Sequence, residues 1–394
     1  MLEGILIIFL LIGIALISRS VTTLVHELGH AIPSLLFTKE QVIVCVGSYG
    51  DVSNSLSFSI GRLRIFLKFN FLSWNLGLCS HQGIAGFWKT LIVIIGGPIA
   101  SLILALTLFY FMVFNNYSDT VIVVLTFFIL SSLWDFAVNI YPVSTPFYLF
   151  NGSEIHNDGY RFLSLIKRRN YPDSYYTAME SSLNFEYEKS VAVLKNLLKE
   201  GFDNREVNDL IIANLMKNGD YDEALKHFGS FKLTKKLKSR DYYTLGAIYF
   251  ELKKYNDAIK CLNKAIHGDF QNVQYLNKRG LCYAETGAHE NAFKDFNAAI
   301  YYNPNYLLSF LNRGNLKIRL DDLEGGYADI QRVIEFDGKI PLAYIYLGYY
   351  YKKKHDYALA MESFEKAKAL NSDYQSLDFL IEEMSGLVKK KIKI

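Results

Sequence analysis

Charged side chains are scarce in the first part of this 394-residue chain. Residues 1–160 contain 6 Lys or Arg and 8 Asp or Glu, whereas residues 161–394 contain 36 and 31. A soluble domain of 160 residues carries roughly 40 charged side chains. The shortage therefore excludes an ordinary soluble domain at residues 1–160 and predicts a membrane domain followed by a soluble one.

Cysteine and net charge are also low. The 4 cysteines are scattered, with no CxxC pair and no spacing typical of a disulfide framework, so the soluble part fits a reducing compartment. A net charge of +3 is too small to indicate nucleic-acid binding. The first apolar run has neither a basic start nor a small-residue cleavage site, which argues against a cleaved signal peptide.

Three apolar segments are present, at residues 2–37, 88–114 and 121–141. About 20 residues cross the hydrocarbon core of a bilayer. The last two segments therefore predict one crossing each, whereas the first predicts either one long helix or a tight hairpin turning near Ser18. Between the first two segments, residues 40–85 alternate apolar and polar side chains, which predicts a small sheet.

The sequence His26-Glu27-Leu28-Gly29-His30 lies inside the first apolar segment. On a helix, positions i and i+4 share a face, so His26 and His30 can both bind one Zn²⁺. Glu27 lies beside them and can act as a general base toward the attacking water. Ionisable groups in apolar surroundings are costly, which indicates a functional site.

Further along the chain, three short motifs follow in order. Gly96-Gly97-Pro98 lies in the second apolar segment, Asn139 begins an NxxP sequence at the end of the third, and Asp158-Gly159 comes afterwards. Together with HExxH, these motifs resemble the site-2 protease family of intramembrane zinc metalloproteases over about residues 20–165. The resemblance implies that His26, His30 and Asp158 bind zinc and that Glu27 is the base. It also implies that Asn139 holds the substrate backbone or the oxyanion.

The spacing before the Asp-Gly pair departs from that family. Eighteen residues lie between Asn139 and Asp158, whereas family members commonly have only a few. Asp135, one helical turn before Asn139, is therefore the rival to Asp158 as the third zinc ligand.

The soluble part is a repeat. Glycine recurs at intervals of 34 residues, at Gly246, Gly280, Gly314 and Gly348. This spacing is that of the tetratricopeptide repeat (TPR), in which small residues let the two helices of each repeat touch. The concave wall formed by the first helices is expected to bind a protein or peptide. In the usual register this wall contains Arg240, Tyr243, Phe250, Asn277, Leu281, Leu311, Asn315 and Tyr349.

The expected fold is therefore mainly α. It consists of a polytopic transmembrane helical metalloprotease core with a small β insertion, followed by an α-solenoid of TPR helix pairs. The expected domains are a membrane domain at 1–166, about six repeats at 171–374 (four of them clear), and a capping helix with a basic tail at 375–394. Basic residues 167–169 follow the membrane domain, so the positive-inside rule predicts cytoplasmic repeats on a bacterial plasma membrane.

Three functions fit these features. The leading one is an intramembrane zinc peptidase that cuts a membrane protein in or near its transmembrane segment, with the repeats recruiting substrate or regulator. The alternative is an inactive membrane scaffold that uses the repeats for protein–protein interaction. A zinc enzyme acting on a lipid or small molecule is a third possibility. The expected partners are a membrane-protein substrate, a partner in the repeat groove and the lipid bilayer, with no nucleic acid.

Overall fold

The computed structural model describes residues 2–52, 54–81, 83–145, 147–149, 154–232, 237–370 and 376–392. The chain forms two compact units, Met1–Asp220 and Tyr221–Ile394. The boundary predicted near residues 166–171 marks a change in composition, and the division by packing comes about 50 residues later. Residue 375 and residues 393–394 of the predicted cap and tail lie outside the described residues.

Three long helices dominate the first unit: α1 Leu2–Phe37, α2 Phe87–Phe114 and α3 Asp119–Ile140. All three are long and apolar enough to cross a membrane, by length and composition. Residues 2–37 form one continuous helix about 54 Å long, so the first segment is not a hairpin. In its polar stretch the hydroxyls of Ser18 and Ser20 donate to carbonyls of the preceding turn, so both hydroxyls are satisfied within the helix itself.

Helices α1 and α2 cross at a pair of glycines. A Cβ on Gly29 would lie 2.4 Å from the Gly96 carbonyl oxygen, and a Cβ on Gly96 would lie 2.1 Å from the Gly29 carbonyl oxygen. Neither position can therefore carry a side chain, and the two backbones are in contact, as the small residues there predict. This contact places the His26 face of α1 directly against α2.

A four-stranded sheet follows α1, as the alternating pattern predicts. Its strands are β1 Val42–Val46, β2 Ser55–Ile60, β3 Leu63–Lys68 and β4 Gly77–Ser80, in the order β2-β3-β1-β4. β1 is parallel to β3 and antiparallel to β4. Val42, Val44 and Val46 are fully buried and pack with Ala31 of α1. The sheet is thereby fixed to the end of α1 that carries the HExxH motif.

After α3 the chain forms a short hairpin and four helices of the first unit. These elements are β5 Phe147–Tyr148, β6 Glu154–Ile155, α4 Asp158–Lys167, α5 Asp173–Leu183, α6 Tyr187–Lys199 and α7 Arg205–Asn218. α4 packs on both α2 and α3. Helices α5 and α6 pack against each other at the start of the predicted array 171–374.

The second unit is an array of helices. They are α8 Tyr221–Lys232, α9 Ser239–Glu251, α10 Tyr255–Gly268, α11 Val273–Glu285, α12 His289–Tyr302, α13 Leu307–Arg319, α14 Leu323–Phe336, α15 Pro341–Lys353, α16 Tyr357–Leu370 and α17 Ser376–Ile392. Helices α9 to α16 pack as four pairs, one for each clear repeat, and α17 packs on α16. A Cβ on Gly348 would lie 2.3 Å from the ring of the buried Phe364, which explains the recurring glycine.

Candidate metal centre and repeat groove

His26, His30 and Asp158 meet in one buried group. The Nε2 atoms of the two histidines are 3.1 Å apart. Oδ2 of Asp158 lies 3.1 Å from Nε2 of His26 and 3.0 Å from Nε2 of His30. The three residues are at most 7% exposed. Within the described residues, this is the group of His, Cys, Asp and Glu side chains whose arrangement could hold a metal ion.

The contacts of the two Nδ1 atoms fix the tautomers of His26 and His30. Nδ1 of His30 donates to the Val93 carbonyl at 2.7 Å, and Nδ1 of His26 lies 2.7 Å from Oδ2 of Asp135. With both Nδ1 atoms protonated, two Nε2 lone pairs and a carboxylate oxygen face one point. Three converging acceptors suit a cation. Tetrahedral Zn²⁺ separates such ligand atoms by about 3.3 Å, close to the observed spacing.

Asn157 brings Asp158 back to the helices across the unusually long loop. Its side chain caps α4 by accepting from Tyr160 N, and its amide donates to the Val138 and Tyr141 carbonyls at the end of α3. Gly159 fits against the same end, since a Cβ there would lie 2.3 Å from the Ile140 carbonyl oxygen. The 18-residue spacing therefore lengthens the loop without moving Asp158 away from the histidines.

The surroundings of Asp158 stabilise its ionised carboxylate. Burial raises the pKa of Asp158, but His30 and His26, whenever they carry a proton on Nε2, lower it well below its usual range. Arg161 donates to its other carboxylate oxygen at 3.2 Å. Asp158 is thus held as an anion facing the histidines, which is the state that a metal ligand requires.

Asp135 lies on the opposite side of His26 from Asp158. It contacts Nδ1, whereas Asp158 faces the Nε2 atoms of both histidines. The geometry therefore favours Asp158 over its rival as the third ligand. His156 stacks on Tyr160 with ring centroids 4.1 Å apart, and neither it nor His81 joins the group.

A cavity of about 300 Å³ opens beside this group and contains the predicted catalytic residues. Glu27 lines it and is 7% exposed. It packs on β4 so closely that a Cβ on Gly77 would lie 2.3 Å from Oε1 of Glu27. Asn139 also lines the cavity, and its amide donates to the Asp135 carbonyl at 3.0 Å.

The sequence reasoning missed several residues of this cavity. Arg19, Tyr49, Gly77 and Arg161 all line it. Arg19 could have been found, because it is a single charge deep in an apolar run. Gly77 could not, since its role depends on how β4 packs against Glu27.

Some of the residues predicted to bind a partner line a cavity in the repeat array, and others do not. A cavity of about 480 Å³ is lined by five of the predicted partner-binding residues: Tyr243, Phe250, Asn277, Leu281 and Asn315. Tyr349 lines a separate cavity of about 740 Å³. Arg240 is exposed and lines neither cavity. Eleven further lining residues were not predicted, among them Lys278, Asn312, Arg319 and Tyr346.

Leu311 is wrong as a partner-binding residue, because it is fully buried. It is the equivalent, 34 residues on, of Asn277. Asn277 is also buried and accepts hydrogen bonds from Ser309 and Asn312 of the next repeat. Side chains at this repeat position are therefore buried, and Asn277 joins its repeat to the next one through these hydrogen bonds.

Comparisons with known proteins bear on the repeats. Tetratricopeptide repeat profiles match residues 239–267, 273–306 and 342–374, which confirms the predicted repeats there. RNA polymerase II-associated protein 3 of Xenopus tropicalis is 30% identical over 92 residues, covering 23% of this chain and 14% of that protein. The Hsp70-Hsp90 organizing protein of Triticum aestivum is 24% identical over 153 residues, covering 32% and 26%.

A solved structure gives the same fold. The tetratricopeptide repeat protein from Parabacteroides merdae ATCC 43184 is 14% identical and has a TM-score of 0.51, covering 58% of this chain and 91% of its own. The alignments with the two curated relatives span about a quarter or less of those proteins. The mainly helical fold with a TPR array is thus confirmed, and the array indicates protein–protein interaction. The matched repeats lie outside the unit that holds His26.

Proposed function

We propose that the first unit is an intramembrane zinc peptidase that hydrolyses a peptide bond in or near the transmembrane segment of a membrane protein. The observation that carries the proposal is the convergence of the His26 and His30 Nε2 atoms with Oδ2 of Asp158, at separations of 3.0 and 3.1 Å. Two imidazoles and one carboxylate leave a fourth position open, which is typical of catalytic rather than structural zinc.

The residues of the cavity would divide the chemistry among them. His26, His30 and Asp158 would hold the zinc, which when bound acts as a Lewis acid toward the attacking water and the scissile carbonyl. Glu27 takes the proton of the attacking water and gives it to the leaving amine nitrogen. Asn139, which lines the cavity, would hold the substrate backbone or the oxyanion.

A substrate helix must unwind before it is cut, because its peptide bonds are hidden by their own hydrogen bonds. We expect the unwound segment to pair with a sheet edge. Within the sheet predicted at residues 40–85, the candidate is β4, because it is an edge strand and its residues Gly77, Leu78 and Cys79 line the cavity.

The proposed setting is a bacterial plasma membrane crossed by α1, α2 and α3, with the repeats in the cytoplasm. The sheet and α4 meet at one cavity and so lie at the same end of these helices. Basic side chains occur at this end in both segments, including Arg62 and Arg64 near β3 and Lys167 in α4. The positive-inside rule places such an end in the cytoplasm.

A second function is a membrane scaffold that works only through its repeats. The comparisons support this alternative more than the peptidase, because every matched profile lies in the repeat array. The intact HExxH motif and the buried Asp158 favour the enzyme, since a scaffold has no use for three converging acceptors. The deciding experiment is cleavage of candidate single-span membrane proteins by the wild-type chain and by Glu27→Gln.

Whether the protein is a peptidase or a scaffold, we expect the 480 Å³ cavity of the repeats to bind a protein partner. Replacing Leu281 and Asn315 together with alanine should weaken partner binding about tenfold or more, because both residues line the 480 Å³ cavity. For a cleaved partner, KM should rise while kcat stays unchanged, since recruitment acts through local concentration. The measurement is a titration of the partner in membranes. Arg240→Ala is the matched control, and an equal loss in this variant would mean that the cavity is not the binding surface.

A further inference from the structure

Asp135 is a buried charge at which all three long helices meet. Its Oδ1 accepts from a guanidinium nitrogen of Arg19 on α1 at 2.7 Å. Its Oδ2 accepts from the Ser101 hydroxyl on α2 at 2.8 Å and lies 2.7 Å from Nδ1 of His26. Asp135 itself is only 2% exposed. The carboxylate thus pairs with the charge of Arg19, contacts His26, and accepts from Ser101, whose hydroxyl also lies 3.3 Å from Nδ1 of His26.

The two histidines of the metal group differ in how they are held. His30 donates from Nδ1 to the Val93 carbonyl, a neutral acceptor, whereas Nδ1 of His26 lies 2.7 Å from a carboxylate oxygen of Asp135 and 3.3 Å from the Ser101 hydroxyl. A hydrogen bond to a carboxylate is shorter and stronger than one to a neutral carbonyl. It also makes the opposite ring nitrogen a better electron donor to a metal. The Nε2 atom of His26 should therefore donate electrons to a metal ion more strongly than the Nε2 atom of His30.

We infer that Asp135 is a positioning residue for the metal ion. It holds His26 in the Nδ1-protonated tautomer with Nε2 directed at Asp158, and Arg19 holds the Asp135 carboxylate in place. The two acidic residues beside His26 thus have different tasks, since Asp158 faces the metal position and Asp135 acts through the ring. This inference rests on the proposed function only for the presence of the metal.

The test is the affinity for Zn²⁺, measured by chelator competition on the purified full-length protein in detergent. Asp135→Asn should bind Zn²⁺ about 10- to 100-fold more weakly than wild type. Because this change leaves Arg19 unpaired, the double variant Arg19→Gln with Asp135→Asn is measured as well and should show the same loss. Both variants should still bind one equivalent of Co²⁺ and show a tetrahedral absorption band shifted from that of wild type.

Ser132→Ala is the matched control. Ser132 is buried on the same face of α3, one turn before Asp135, and contacts the Thr22 hydroxyl of α1 at 3.3 Å without reaching His26. Its loss removes a buried polar contact between α1 and α3 that does not involve His26. The control should bind Zn²⁺ with the wild-type Kd.

Four results would overturn the inference. A wild-type Kd in the double variant would show that His26 needs no Asp135. Complete loss of metal would make Asp135 a ligand. Aggregation of the double variant but not of Ser132→Ala would assign Asp135 to folding. A wild-type protein that binds no Zn²⁺ would overturn both this inference and the peptidase, whereas zinc binding without cleavage would count only against the peptidase.

Discussion

Glu27→Gln should keep its zinc and lose peptide hydrolysis by about 10²- to 10⁴-fold, the usual contribution of a general base. The amide has nearly the same shape as the carboxylate, so it fits the same space between α1 and Gly77 of β4. It cannot accept the proton of the attacking water. The measurement is the cleavage rate of a single-span membrane protein in nanodiscs, together with the zinc content of the same preparation.

Glu40→Gln makes the same chemical change at an exposed position just after α1 and should cleave at the wild-type rate. Cleavage at that rate by Glu27→Gln would show that Glu27 is not the base. If the wild-type protein binds zinc but cleaves no single-span substrate, the repeat-based scaffold becomes the better account.

Gly97→Ala should weaken zinc binding by roughly 5- to 150-fold. The added Cβ would lie 2.3 Å from Nε2 of His30 and 2.7 Å from Nε2 of His26. Both rings would have to shift from the positions that face Asp158. Overpacking of this kind costs about 1–3 kcal/mol, and every 1.4 kcal/mol is tenfold in Kd. The measurement is chelator competition for Zn²⁺.

Gly13→Ala is the control for this variant, because it lies in α1 with nothing within 4 Å of the added Cβ. It should bind zinc like wild type. An unchanged zinc affinity in Gly97→Ala would mean that the metal, if bound, does not lie between the two Nε2 atoms.

Much of the metal group could be predicted from local sequence, because a helix places positions i and i+4 on one face. His26 and His30 follow from this rule alone. The choice between Asp158 and Asp135 could not be made in the same way. It depends on Asn157, which binds the end of α3 and returns the chain to the site, and such a long-range contact leaves no periodic signal in the sequence.

The repeat array shows the same division. A period of 34 residues correctly predicts the helix pairs and the glycines between them, because each repeat uses the same packing. It does not tell which side chains face the open groove. Leu311 is fully buried while its neighbour Asn312 lines the cavity, since the wall depends on how successive first helices pack.

The central claim is that His26, His30 and Asp158 bind zinc, and metal analysis of the purified full-length protein tests it most directly. The wild-type protein should contain about one equivalent of zinc. His26→Ala, His30→Ala and Asp158→Ala should each contain almost none, because each change removes one of three ligands. The same zinc content in the wild type and in all three variants, or no zinc in the wild type at a free Zn²⁺ concentration that loads other zinc peptidases, would contradict the account.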